Sequence, residues 1–296
     1  MRKLLRLAVF AAAAVGGLAG LGVLAIHLGS DPLADARAYY DAASRLNAGQ
    51  PLYPVSGDID RAEFYRYPPL LAIVVRPFAM LPYPVFAVLW EAAIVAAFGA
   101  TLWRLGLRRP STWLLTGILA WSITWAISIG QAQVLVTWLV ATGSPLGIAL
   151  AGQMKLFPGL VALYWLGRRD WPALSRFVAF SLALVAVQLA LEPRGSMDFL
   201  ALTNLDQVGQ VRNFSPYAVS PELWLALALA GMLATLALAR TRWGWAAAVA
   251  FSTLVTPRLL LYMLGTLLAA LRRPSDAGRP EPAVRDRAPD RLAERS

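Results

Sequence analysis

Residues 4–28 read LLRLAVFAAAAVGGLAGLGVLAIHL, and residues 31–69 read DPLADARAYYDAASRLNAGQPLYPVSGDIDRAEFYRYPP. The first stretch is long and apolar enough to cross hydrocarbon about 30 Å thick. The second is its chemical opposite: Asp31, Asp35, Asp41, Asp58, Asp60 and Glu63 are six of the chain's seventeen acids, and five tyrosines and Phe64 accompany them. An acidic, aromatic loop leaving an apolar helix has the make-up of a site at a membrane surface. Working outward to residue 271, nearly everything else is apolar, in runs interrupted by Pro, Gly and Arg. The expected fold is all-α, a polytopic membrane helix bundle with re-entrant or broken helices.

Composition agrees. The chain is 58% hydrophobic over 296 residues, with a mean hydropathy of +0.56. Eleven Trp and twenty Pro suit interfacial anchors and interrupted membrane helices. The absence of Cys excludes disulfides, zinc–thiolate sites and Cys nucleophiles, and the single histidine, His27, argues against a His-based metal cluster or triad. A net charge of +10 invites a nucleic-acid reading, but its placement rules against one. The basic residues gather at helix ends: Arg2, Lys3 and Arg6; Arg104, Arg108 and Arg109; Arg168 and Arg169; Arg240 and Arg242; Arg272 and Arg273. That is the positive-inside pattern, which puts these clusters and both termini in the cytoplasm and gives them membrane lipid as a partner. The first apolar run is too long for a signal-peptide core and reads as a retained helix in the cell membrane.

From this orientation the Asp31–Pro69 loop is exoplasmic. Leu70–Leu81 is too short to span and reads as interfacial or re-entrant, and Tyr83–Trp103 crosses back. Between the basic clusters at 104–109 and 168–169 lie three apolar pieces where parity requires an even number of crossings. Thr112–Ile129 and Leu146–Leu166 read as crossings, and the short piece around 131–142 as a half-helix. Pro172–Leu191 leads to a second polar loop, Glu192–Pro221, and Leu223–Ala239 returns. Trp243–Leu271 has basic residues at both ends and Thr256-Pro257-Arg258 at its middle, so it reads as a broken hairpin. Residues 1–271 form one transmembrane domain. Residues 272–296, rich in Arg, Pro, Asp and Glu, read as a disordered cytoplasmic tail.

Charges inside apolar segments carry the chemistry. Lys155 lies within AGQMKLFPGLVALYWL, and Arg258 is equally surrounded by apolar residues. At the bilayer centre such a charge costs about 2.5–3.5 kcal/mol on insertion scales, so it either snorkels to the interface or faces a cavity and a partner. In the second case Lys155 and Arg258 bind an anion such as a lipid phosphate. Asp35 follows the first helix closely; it is either a solvated loop acid or a general base for a hydroxyl. Tyr39 and Tyr40 follow at one helical turn and can stack on a sugar ring. Tyr65, Tyr67, Pro68 and Pro69 supply either a rim or an aromatic belt. Glu91 fits a packing acid or a cavity residue, His27 interfacial packing, and Gly130-Gln131 and Asn213-Phe214-Ser215 polar punctuation.

In order and spacing these residues resemble glycosyltransferase family 87, the polyprenyl-phosphate-mannose-dependent mannosyltransferases of the GT-C class. The resemblance runs through Asp35…Tyr39-Tyr40…Ala42…Gly49-Gln50-Pro51-Leu52-Tyr53, then Tyr65-Arg66-Tyr67-Pro68-Pro69…Pro77…Leu81-Pro82 and Leu89-Trp90. It continues through Gly130-Gln131, Lys155-Leu156-Phe157-Pro158 with Tyr164, and Thr256-Pro257. Two positions depart from it: Gln133 stands where the family often has Asn, and Arg258-Leu259-Leu260-Leu261-Tyr262 where it often has Trp and His. The resemblance implies an inverting hexosyltransferase that moves a sugar, mannose by analogy, from a polyprenyl-phosphate donor to a hydroxyl of a glycan or glycolipid acceptor outside the cytoplasm. Asp35 would be the catalytic base. Lys155 and Arg258 would bind the donor phosphate, and Tyr39, Tyr40, Tyr67 and Gln131 the substrates. No cofactor or metal ligand set is called for, although one carboxylate leaves room for a divalent ion, and no nucleic acid is expected. The competing readings are a lipid or solute transporter and an inactive scaffold of an envelope-biosynthesis complex.

Overall fold

The computed structural model describes residues 2–53, 65–202 and 213–272. Asp58, Asp60, Glu63, Phe64 and the tail beyond Arg272 lie outside them. The described residues are helical, without strands, and form a polytopic membrane bundle. Four helices are long and apolar enough to cross a membrane: Arg6–Ser30 within α1 (Arg2–Ser30), α4 (Tyr83–Leu105), α10 (Trp171–Leu191) and α12 (Pro221–Leu238). Their outer faces keep large apolar side chains exposed, Leu18, Val88, Leu182 and Leu233 among them, as lipid-facing surfaces do.

Helix starts are written locally. Pro sits in the first turn of α4, α10 and α12, where its missing N–H would be unpaired anyway. Ser220 caps α12 by accepting from Leu223 N–H at 3.1 Å, and Asp170 caps α10 by accepting from Ala173 N–H at 3.2 Å. α1 leans on α5 (Pro110–Ile118) and α6 (Ala120–Ser128) through small residues. A Cβ added to Gly16 would fall on the backbone oxygen of Gly117, and one on Gly20 would lie 2.9 Å from Ala120 carbonyl carbon. Close approach over such a small-residue stripe lets membrane helices associate without a hydrophobic drive.

Arg104, Arg168, Arg240 and Arg272 lie at one end of the bundle. Arg104 Nε and Nη2 donate to Ala141 O and Thr142 O at 3.1 and 3.0 Å, at the C-terminus of α7 (Gln133–Thr142). Arg272 lies against Gly143, and Arg240 Nε donates to Gly167 O at 3.2 Å.

One expectation needs correction. Leu146–Leu166 is not a single crossing. From Ser144 at the basic end, α8 (Pro145–Met154) rises to Lys155, and the chain returns through a 3-10 turn, Phe157–Ala162, and α9 (Leu163–Arg168). The two legs meet where Gly152 and Gly159 touch: a Cβ on Gly152 would lie 3.2 Å from Gly159 Cα. The segment is a re-entrant hairpin with Lys155 at its tip. Polar backbone at membrane depth is tolerated there because it is enclosed by protein. Thr112–Ile129 does run along α1 as expected, in two successive helices, α5 and α6, with a break at Leu119.

The last apolar segment is the broken hairpin its pattern predicts. α13 (Gly244–Leu254) and a 3-10 leg, Leu261–Leu271, flank Thr256-Pro257-Arg258. Trp245 Nε1 ties the legs together by donating to Ala269 O at 2.9 Å. Both hairpins leave the basic end and carry one cation each at the tip.

Candidate active site

At the opposite end, α2 (Ala34–Asn47) lies across the turn between α6 and α7. Its first turn is docked by backbone bonds: Leu33 N–H donates to Ser128 O at 3.0 Å and Asp35 N–H to Ile129 O at 2.9 Å. The receiving turn needs Gly130, whose φ is +68°. A Cβ there would lie 2.7 Å from Ala36 Cβ. Gly130→Ala is therefore expected to lose roughly 1–2 kcal/mol from left-handed backbone alone, plus the clash, and to lower the melting temperature in detergent. An unchanged melt would refute this.

The turn presents Gln131, which organises the site. Its Nε2 donates to Asp35 Oδ2 at 2.6 Å, and its Oε1 accepts from Tyr39 and Tyr67 hydroxyls at 2.7 and 2.8 Å. Tyr39 in turn accepts from Ala132 N–H at 3.2 Å. Trp90 packs on Tyr39 and donates from Nε1 to Gly130 O at 2.8 Å. With Oε1 toward the two hydroxyls and Nε2 toward the carboxylate, the amide serves the ionised form of Asp35. Asp35 is thus held by a donor that favours its charged form. Burial works against that charge and raises the carboxyl to about 7, while Lys155 and then Arg66 pull it down and Asp31 pushes it up.

Lys155 Nζ completes the cluster. It sits 5.1 Å from the Tyr67 ring centroid and 5.0 Å from that of Tyr262, within cation–π range of both. The nitrogen is buried and makes no hydrogen bond among the described residues. Arg258 reaches the same neighbourhood through its charge on Tyr262. Its tip is clamped by Asn213, whose Nδ2 donates to Pro257 O at 2.9 Å while Oδ1 accepts from Leu259 N–H at 3.0 Å.

Five of the residues singled out from sequence therefore converge: Asp35, Tyr39, Tyr67, Gln131 and Lys155. Tyr40 turns elsewhere. Its hydroxyl donates to Leu81 O at 2.8 Å and its ring packs on Tyr83 and Phe86. One helical turn places Tyr39, not Tyr40, on the face of Asp35. Tyr65 is neither rim nor belt but fully buried core, donating to Pro68 O at 2.8 Å. Glu91 buries Oε2 without a hydrogen bond among the described residues. Asp31 is committed to His27 Nδ1 at 2.6 Å and to Ser30 Oγ at 2.8 Å. Among the described residues no group of three His, Asp or Glu is placed to hold a metal ion.

Sequence reasoning missed Tyr262, which walls Lys155, and the clamp formed by Asn213. Tyr262 had a signal, its spacing of four from Arg258. Asn213 was read only as polar punctuation, since its partners, Pro257 and Leu259, are distant in sequence.

A glycosyltransferase family 87 model matches residues 64–285. The chain belongs to that family. It is 30% identical over 172 residues to a polyprenol-phosphate-mannose-dependent alpha-(1-2)-phosphatidylinositol pentamannoside mannosyltransferase of Mycolicibacterium smegmatis, a match covering 52% of this chain and 42% of that protein. The protein of the same name from Mycobacterium tuberculosis is 30% identical over 178 residues, covering 52% of this chain and 41% of its own. The match thus spans less than half the length of these family relatives. No solved structure matches. Within the family match fall Tyr67, Gln131, Lys155 and Arg258; Asp35 lies before it.

Proposed function

We propose that the protein is an inverting membrane mannosyltransferase of GT-C type that takes mannose from a polyprenyl-phosphate donor and transfers it, on the exoplasmic side, to a hydroxyl of a glycan or glycolipid. The observation that carries this reading is the meeting of a buried carboxylate with an unbonded lysine ammonium at one end of a membrane bundle. Family membership and the donor named for the relatives support the donor class.

The chemistry follows from the two charges. The acceptor hydroxyl gives its proton to Asp35 as its oxygen attacks the sugar's anomeric carbon. The bond from that carbon to the phosphate oxygen breaks, and its electron pair leaves with the polyprenyl phosphate. Attack opposite the leaving group inverts the centre. Negative charge grows on the phosphate, where a preorganised cation lowers the barrier most. Lys155, with Arg258 beside Tyr262, supplies that cation. Gln131 is a positioning residue: it aims Asp35 and locks Tyr39 and Tyr67. The aromatic walls offer faces on which a sugar ring can stack. The positive-inside distribution supports the orientation, with the basic end and both termini cytoplasmic.

The deciding assay is transfer of labelled mannose from lipid donor to lipid-extractable product in membranes containing the full chain. Donor-dependent product is expected. Solute or lipid flux without product would replace this reading with a transporter.

The acid limb of the rate is a second expectation. The free enzyme's base governs kcat/KM. With Asp35 raised to about 7 from an ordinary 3.8, kcat/KM should climb through neutral pH instead of levelling off near pH 5. A flat profile from pH 5 to 8 would contradict the assignment.

A further inference from the structure

The basic end holds a second arrangement, remote from Asp35. Two rings form its floor: Tyr164 on α9 and Trp245 on α13 meet edge to face at 5.4 Å. The Arg168 guanidinium stands 5.3 Å over the Tyr164 ring, and that of Arg272 stands 4.8 Å over Trp245. Arg104 joins from α4, close enough for its charge to act on Arg272. Elements far apart in sequence thus bring three guanidiniums around one aromatic pair.

Like charges held together need a reason. The C-terminus of α7 supplies part of it, since Arg104 binds its last carbonyls and Arg272 covers Gly143. A helix end offers about half a negative charge, too little for three cations. Among the described residues no carboxylate pairs with them: the ion pairs there are His27–Asp31 and Arg37–Asp41, both on the Asp35 side. Asp170 acts on Tyr164 and spends Oδ1 on capping α10. Arg104 and Arg168 remain exposed, and the apolar Trp103 and Leu166 beside them are exposed too.

We propose that Arg104, Arg168 and Arg272 form a binding site for a phosphate group, that of an anionic phospholipid head group, at the end of the bundle opposite the candidate active site. Guanidiniums fit phosphate oxygens in pairs. Basic pockets between membrane helices recognise anionic head groups, and exposed Trp103 and Leu166 offer contacts for the acyl chains. The site would bind a resident lipid and brace the C-terminal ends of α4 and α7 and both hairpin bases. It does not depend on the sugar transferred or on the role of Asp35.

The test uses the full chain in detergent, offered equal amounts of phosphatidylglycerol and phosphatidylcholine, with retained lipid counted by native mass spectrometry. One phosphatidylglycerol per protein should be retained in preference. In the Arg104→Gln, Arg272→Gln double variant the preference should fall about thirtyfold, and in Arg168→Gln about fivefold. Arg240→Gln, which removes a cation from the same end but outside the ring pair, should bind like wild type. If the double variant does not fold, exposed Arg168→Gln decides alone. Equal retention of both lipids by wild type, or undiminished preference in Arg168→Gln, would overturn the proposal. Inorganic phosphate that displaces the lipid at micromolar concentration would overturn the lipid assignment and leave a free-phosphate site.

Discussion

Asp35→Asn is expected to lower mannose transfer by about 10²–10⁴-fold, the usual contribution of a positioned general base. The substitution keeps the shape and one acceptor oxygen, so Gln131 Nε2 retains its partner and Tyr39 and Tyr67 keep theirs. What is lost is the ability to take a proton. Stability should not fall with activity. The folded carboxyl sits at about 7 against an ordinary 3.8. The fold therefore holds more protons than the unfolded chain between those values, and stability drops as pH rises through that window. The ionised carboxylate is a burden on the fold above neutrality, and Asn removes it. Asp35→Asn should melt at or above the wild-type temperature at pH 8 while being nearly inactive. A variant that transfers mannose at the wild-type rate would end the base assignment. One that melts well below wild type would mean that Asp35 is held mainly for structure.

The sequence made some of this legible and hid the rest, for physical reasons. Hydropathy marks α4, α10 and α12 because a continuous apolar run has few alternatives to crossing a bilayer. It does not separate a crossing from a re-entrant hairpin, since both are apolar throughout. Parity of the arginine clusters showed that one piece between residues 109 and 168 had to differ. The structure assigns that break to Lys155, where α8 ends, whereas the short α7, read as a half-helix, leads from the Asp35 end to Arg104 at the basic end. The clue was Lys155 itself: a lone cation in an apolar run marks where the chain turns toward a polar partner. Asp35 and Gln131 were each unremarkable alone. They form a site only because Gly130 admits a left-handed turn against Ala36, which composition does not reveal. The tyrosines divide for the same reason. Tyr39 and Tyr40 are adjacent in sequence, but helix geometry sends one to Gln131 and the other to Leu81.

Lys155→Met should lower turnover by about 10²–10³-fold, the range found when one preorganised donor to developing negative charge is removed. Met fills the space between Tyr67 and Tyr262 with an unbranched side chain of similar length. The nitrogen it replaces has no hydrogen bond among the described residues, so no partner is orphaned. A loss of rate by itself would also follow from a disturbed tip, and the pH profile separates the two. Lys155 is the leading influence that lowers the Asp35 carboxyl against burial. Without its charge the carboxyl must rise further, and the acid limb of kcat/KM must move upward from about 7. Lys155→Arg keeps the charge and should leave the limb near its wild-type position, even if the larger fork fits the two rings poorly and slows the reaction. A Met variant with reduced rate and an unmoved limb would place the lysine outside the electrostatic field of Asp35. An unchanged rate would remove it from the donor phosphate altogether. The predicted combination, a slower enzyme whose base titrates higher, requires one ammonium to face both the carboxylate and the leaving group.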